Sequence, residues 1–189
     1  LPADCLHWVT THGAYREGVN LVHAGRGQSW LGWQGDTSAT APDCFATLAK
    51  ALPPLNWTAE IQLRRWHKLA INCLINPFTV LHRCRNGALA HLVQRQQWCN
   101  LATEIVALAA AHGVQLTVDE LLQQAQLVVQ QTAANRSSML QDFEHGRALE
   151  IGYLNGFVAT ASAAAGLAAP ANEALWQQVQ DAIDARDLQ

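Results

Sequence analysis

No stretch of this 189-residue chain is apolar for long enough to cross a membrane as a helix, and no signal peptide opens it, so neither a span nor export is expected. Charge is scarce. Twelve Lys and Arg stand against fifteen Asp and Glu, and the basic residues are scattered, which argues against a nucleic-acid partner. The five cysteines, Cys5, Cys44, Cys73, Cys84 and Cys99, are odd in number and contain no C-x-x-C pair; they read as reduced thiols in a cytoplasmic protein. There is no G-x-S-x-G nucleophile turn and no H-E-x-x-H metal helix. His82, Cys84, His91 and Cys99 match no standard zinc spacing, so no metal is expected. A glycine-rich phosphate loop is also lacking. Gly25-Arg26-Gly27 comes nearest, but Trp30 stands where a third glycine belongs and no helix opens after it, so the segment reads as a hairpin turn. Methionine occurs once, at Met139, and the chain opens Leu1-Pro2-Ala3; it reads as a piece of something longer, or as a processed chain.

What is present is apolar bulk. Half of the residues are hydrophobic, enough for a sizeable core in one domain or one and a half. Residues 1–57 read as β structure with one helix: strands over 6–12, 19–23 and 29–33 in a small antiparallel meander, a polar loop over 35–42, a helix over 43–52 ended by Pro53-Pro54, and a strand over 55–57. Residues 58–189 read as helices only. The first runs over about 59–76, with Thr58 ahead of it and Pro77 closing it; a turn at Asn86-Gly87 and a short helix near 88–91 follow. Next come 94–111 stopped at His112-Gly113, and 118–134 capped by Thr117 with Glu120 completing a capping box. A stretch behind Ser137-Ser138, a helix over 148–165 and a last helix capped by Asn172 complete the chain. The expected fold class is mainly α, a helical bundle preceded by a small β segment too small to bury two faces alone.

The organising stretch is Trp66-His67-Lys68-Leu69-Ala70-Ile71-Asn72-Cys73-Leu74-Ile75-Asn76-Pro77. At about 100° per residue, Lys68, Asn72 and Asn76 fall within an arc of about 80° while the rest of the circumference is apolar. A helix apolar nearly all round is buried, and a buried ammonium and two amides need partners. The stripe therefore lines a wet cavity that suits a small polar ligand, or else bonds to carbonyls of a facing helix. A second polar cluster is Asn135-Arg136-Ser137-Ser138, where free N–H groups at a helix start suit a carboxylate or phosphate; plain capping by one of the serines is the simpler account. A third is Glu150-Ile151-Gly152-Tyr153-Leu154-Asn155-Gly156, with Glu150 and Asn155 in an otherwise apolar helix whose glycines mark close approach of a backbone or a ligand. There the simpler account is tight helix packing, with Glu150 paired to a base.

Taken together, Trp66-x-Lys68-Leu69-x-x-Asn72-x-x-x-Asn76-Pro77, Asn86-Gly87-x-Leu89, Ser137-Ser138-Met139-Leu140-Gln141-Asp142 and Glu150-Ile151-x-Tyr153-x-Asn155-Gly156 resemble ketopantoate reductase, 2-dehydropantoate 2-reductase, in its motif order. The match covers about 59–189, and Thr10-Thr11-His12-Gly13-Ala14 with Gly18 and His23 resembles the tail of that family's cofactor domain. The resemblance implies the C-terminal helical domain of a 6-phosphogluconate dehydrogenase-like enzyme over 58–189, and a remnant of a Rossmann-type domain over 1–57. It implies NADPH-dependent reduction of ketopantoate to pantoate, in the pantothenate and coenzyme A pathway. It also implies residue roles: Lys68 as general acid to the 2-keto oxygen, Asn72 and Asn76 orienting substrate, Ser138 binding its carboxylate, and Glu150 bonding substrate and setting the electrostatics. The family's G-x-G-x-x-G is absent, so this chain alone is expected to bind NADPH poorly and to show little or no turnover. Rival readings are a reductase of another branched 2-keto acid and a non-enzymatic helical module for dimerisation or ligand binding. Apolar surface that packs on the missing sheet in the family would tend to self-associate here, which is compatible with a homodimer.

Overall fold

The computed structural model describes residues 5–34 and 40–188, and most of the polar loop expected over 35–42 lies outside the described residues. The chain divides into two compact units, Leu1–Lys68 and Leu69–Gln189.

In the first unit the strands are β1 (Leu6–Thr10), β2 (Gly13–Glu17), β3 (Asn20–Gly25), β4 (Ser29–Trp33) and β5 (Leu55–Trp57), with α1 (Phe45–Ala51) before β5. They do not form one meander. β1 and β4 pair antiparallel, with Val9 opposite Trp30, and β5 joins β4 in parallel; β2 and β3 pair only with each other. Gly25–Gly27 is thus not a hairpin turn but a link between two sheets. A Cβ on Gly27 would lie 2.3 Å from the Thr11 carbonyl carbon, so the chain passes there only as glycine. Gly32 has the same constraint, its missing Cβ lying 2.4 Å from the Thr58 carbonyl oxygen, which seats the entry to the next helix. That helix, α2 (Ile61–Leu81), is the longest of the chain and runs from the first unit into the second.

The second unit holds the remainder of α2, a 3-10 turn (Asn86–Ala88), α3 (Leu89–Leu92), α4 (Arg95–Ala111), α5 (Val118–Gln131), α6 (Ser138–Glu144), a second 3-10 turn (Glu150–Tyr153), α7 (Asn155–Ala164) and α8 (Pro170–Asp187). Leu74, Ile105, Leu108, Leu121, Val158 and Phe143 have no exposed surface and form its core. No described helix is long and apolar enough to cross a membrane. The Thr117–Glu120 capping box is formed, and Gly113 takes the left-handed conformation behind α4.

Three expectations are corrected. Pro77 does not end α2, which continues four residues further, to Leu81. The proline removes one intrahelical donor, and neighbouring side chains replace it, as described below. At its true end α2 closes in a Schellman turn, with Cys84 N–H donating to the Thr79 carbonyl and Arg83 N–H to that of Val80. Arg83 takes φ 49° where glycine is usual, its guanidinium lying 4.0 Å from the Phe143 ring centroid. The single helix expected over 148–165 is two pieces, because Leu154 departs from helical geometry at φ −104°, ψ −100°. Asn172 is not the cap of α8. Ala169 occupies that position and contributes no side chain to it; Glu104 of α4 accepts the N–H groups of Ala171 at 2.8 Å and Asn172 at 2.9 Å.

Candidate active site

Lys68, Asn72 and Asn76 stand on consecutive turns of α2, each about 6 Å along the axis from the last. Their exposure falls along the row: Lys68 is exposed, Asn72 half-buried, and Asn76 is 7% exposed. The helix is lined with buried residues from Cys73 to Val80, so the buried character expected of it holds for its second half, while Arg64 and Arg65 of its first half are exposed. Burial pushes the Cys73 thiol far up, which leaves it protonated and inert beside the row. None of the three polar side chains makes a hydrogen bond or ion pair with a described residue. The alternative, bonds from these side chains to a facing helix, is therefore not found among the described residues. Among the described residues, the row is an ammonium and two amides whose donors and acceptors are unused.

The start of α6 is brought to this row by a chain of hydroxyls. Thr79 Oγ1 donates to the Asn76 carbonyl at 2.7 Å and lies 2.6 Å from Ser137 Oγ, which accepts from Leu140 N–H at 3.0 Å. A hydroxyl has one proton, so with Thr79 giving its own to Asn76, Ser137 gives its own to Thr79. A second clamp lies alongside. Asn86 N–H and Gly87 N–H donate to the carbonyls of Asn135 and Ala133, at 3.0 and 3.1 Å, and Asn86 Nδ2 donates to Thr132 Oγ1 at 2.8 Å. A Cβ on Gly87 would lie 2.7 Å from that of Ala133, which explains the glycine.

The two serines are thereby told apart. Ser137 is the buried cap, and Ser138 is exposed in the first turn of α6 with its hydroxyl unused. Exchanging each for alanine separates the roles. Ser137→Ala should destabilise the protein by about 1–2 kcal/mol, because a cap is lost and Thr79 loses a donor. Ser138→Ala should leave the melting temperature within about 1 °C and instead weaken binding of a carboxylate substrate; thermal melts and substrate titrations check both.

Glu150 opens the second 3-10 turn, exposed, and its carboxylate makes no ion pair with a described residue, so the base expected to neutralise it is not there. No hydrogen bond or ion pair among the described residues joins its carboxylate to α2. Of the two glycines, Gly156 is explained by packing, with a Cβ placed 2.9 Å from the Trp176 ring, while one on Gly152 would meet nothing. Asn155 and Asn172 stand out in the sequence, but nothing there links them to each other or to Glu104, although a proline inside an apolar helix is the signal that a donor must come from elsewhere. No group of three or more metal-ligating side chains occurs among the described residues.

Residues 60–182 match the family model described as "Ketopantoate reductase PanE/ApbA C terminal". The chain belongs to that family. The 2-dehydropantoate 2-reductase of Vibrio cholerae serotype O1 is 38% identical over 172 residues, an alignment that covers 90% of this chain and 58% of that one. The chain thus spans little more than half the length of the curated relatives it matches. A PanE/ApbA family ketopantoate reductase from Ralstonia eutropha JMP134 superposes with a TM-score of 0.83 at 24% identity, over 96% of this chain and 60% of that one. D-mandelate dehydrogenase, solved with NADH, superposes with a TM-score of 0.88 at 21% identity, over 98% and 64%. At such identities the two structures speak for the fold alone. The motifs on α2, α6 and the Glu150–Gly156 segment all lie inside the family match.

Proposed function

We propose that the complete protein reduces 2-dehydropantoate to pantoate, as a cytoplasmic NADPH-dependent reductase of pantothenate and coenzyme A biosynthesis. Residues 58–189 serve as its substrate-binding and catalytic domain, and residues 1–57 as the end of its cofactor domain. The observation that carries this reading is the unpartnered Lys68–Asn72–Asn76 row on α2, in a chain of the ketopantoate reductase family.

When bound, a nicotinamide cofactor supplies the hydride in reactions of this class. No described segment fits its pyrophosphate, since Gly25–Gly27 leads into β4 rather than a helix, and no cofactor contact is assigned to these residues. What the chain supplies is the other half of the chemistry. As the keto carbon is reduced, negative charge grows on the keto oxygen; the Lys68 ammonium stabilises it and gives up a proton to form the alcohol. Asn72 and Asn76 hold the substrate by hydrogen bonds without adding net charge, so the acid keeps its pose. Ser138 binds the substrate carboxylate, and Glu150 bonds substrate and sets the field around Lys68.

The test is steady-state turnover of the complete protein with ketopantoate and with other branched 2-keto acids, using NADPH and NADH in turn. A kcat/KM at least about 10-fold higher for ketopantoate with NADPH is expected, which is about 1.4 kcal/mol of discrimination. Preference for another keto acid moves the reading to a sister reductase. No turnover on any of them moves it to a non-enzymatic module.

A further inference from the structure

Pro77 has no N–H to give to the carbonyl of Cys73, four residues earlier in α2, and Cys73 has no exposed surface where water could serve. The donor comes from another helix. Asn155, the first residue of α7, places Nδ2 3.4 Å from the Cys73 oxygen. The next carbonyl, that of Leu74, takes the indole N–H of Trp98 at 2.8 Å.

The Asn155 amide is not free to choose its direction. Its Nδ2 also donates to Asn172 Oδ1 at 2.9 Å. Asn172 in turn donates from Nδ2 to Glu104 Oε2 at 2.7 Å and to the Leu101 carbonyl at 3.3 Å. Glu104 is itself fixed by the two backbone N–H groups at the start of α8. A carboxylate only accepts, so Asn172 must point its NH2 at Glu104 and its oxygen at Asn155, and Asn155 must then point its NH2 at both Asn172 and Cys73. Asn155 and Asn172 have no exposed surface.

We infer that Asn155 is a positioning residue for the keto-acid site, acting through the Cys73 carbonyl on the turn of α2 that carries Asn72 and Asn76. The inference rests on the reading of those two amides as substrate-binding groups. Cys73 directly follows Asn72, and Asn76 directly precedes Pro77. The Asn76 side chain has no partner among the described residues, so the backbone of this one turn decides where its amide points. Thr79 steadies the turn from below through the Asn76 carbonyl, and Asn155 steadies it from above. Loss of the Asn155 donor leaves the Cys73 carbonyl to swing from the axis at the proline, and the two amides move with it.

The inference makes an unusual coupling between two positions. Alanine at 77 restores an N–H that can reach the Cys73 carbonyl within the helix, and the need for Asn155 disappears. The experiment is a double-mutant cycle in the complete protein with parent, N155A, P77A and N155A/P77A, reading KM and kcat for the 2-keto acid. Asn155→Ala should raise KM about 10-fold in the Pro77 background, with kcat changed less than about 3-fold; in the P77A background the same change should raise KM less than about 2-fold. A residue that merely stabilised α7 would lower the melting temperature equally in both backgrounds and leave KM alone, and that outcome overturns the inference, as does an equal rise of KM in both. If N155A does not fold, Asn172→Ser removes the acceptor that orients Asn155; a KM rise of about 3-fold that vanishes in the P77A background supports the link, and one that persists overturns it. Turnover by the parent separates the two levels: an active parent with an additive cycle sinks this inference alone, and an inactive parent sinks the functional reading beneath it.

Discussion

Replacing Lys68 with alanine in the complete protein should lower kcat for ketopantoate reduction by about 100-fold or more, with a much smaller change in KM. The ammonium matters when charge grows on the keto oxygen, so its loss falls on the transition state rather than on the bound substrate. Lys68 has no ion pair or hydrogen bond with a described residue, so its removal leaves no orphaned partner, and the melting temperature should move by less than about 2 °C. That separation of activity from stability is the signature sought. Lys68→Arg keeps the charge but places a group that does not release its proton, and should recover only a small part of the rate. A nearly unchanged kcat in K68A would make the polar row of α2 structural and would remove Lys68 from the chemistry.

The second large effect is on stability. Glu104→Ala should destabilise the second unit by about 2–4 kcal/mol, lowering its melting temperature by about 10 °C. The carboxylate accepts from Ala171 N–H, Asn172 N–H and Asn172 Nδ2, and two of these donors sit at the start of α8, where no side chain of that helix caps them. A negative charge there also interacts favourably with the positive end of the α8 dipole, and its removal adds to the loss. Glu104→Gln keeps one acceptor and turns an NH2 toward donors, so it should cost about half as much. Calorimetry of the two variants settles the matter: equal and small shifts in both would show that water serves these groups as well as the carboxylate does.

The helices were legible where local chemistry decides them. Thr117 with Glu120 and His112-Gly113 each carry their own signal within a few residues. The face of α2 was legible for the same reason, since Lys68, Asn72 and Asn76 are spaced by the helix's own period. The errors lie where a distant side chain overrules a local rule. Pro77 should stop a helix, and does so unless a donor from elsewhere, here Asn155 of α7, takes up the Cys73 carbonyl it leaves. Asn172 has the residue type of a cap, but Glu104, 68 positions earlier, takes that work. Strand pairing failed likewise: β3 read as part of one meander with β1 and β4, the segment of β2 did not read as a strand, and the parallel partner of β4 lies beyond α1, where no short-range pattern can point to it.

The break at Leu154 has a dynamic consequence. The residues from His145 to Ala148 are exposed, and the 3-10 turn that follows is a single turn with only Ile151 buried, whereas α7 beyond the break is anchored by Asn155, Gly156 and Val158. Local opening of a segment costs what it buries, so amide protons around Glu150 should exchange with solvent through small fluctuations that leave α2 and α7 intact. Lys68 and Glu150 therefore stand on supports of different stiffness. The ammonium stands on a long helix and the carboxylate on a single short turn, so a ligand bound at Glu150 would have to order that turn, and part of the attraction there would go into quieting it.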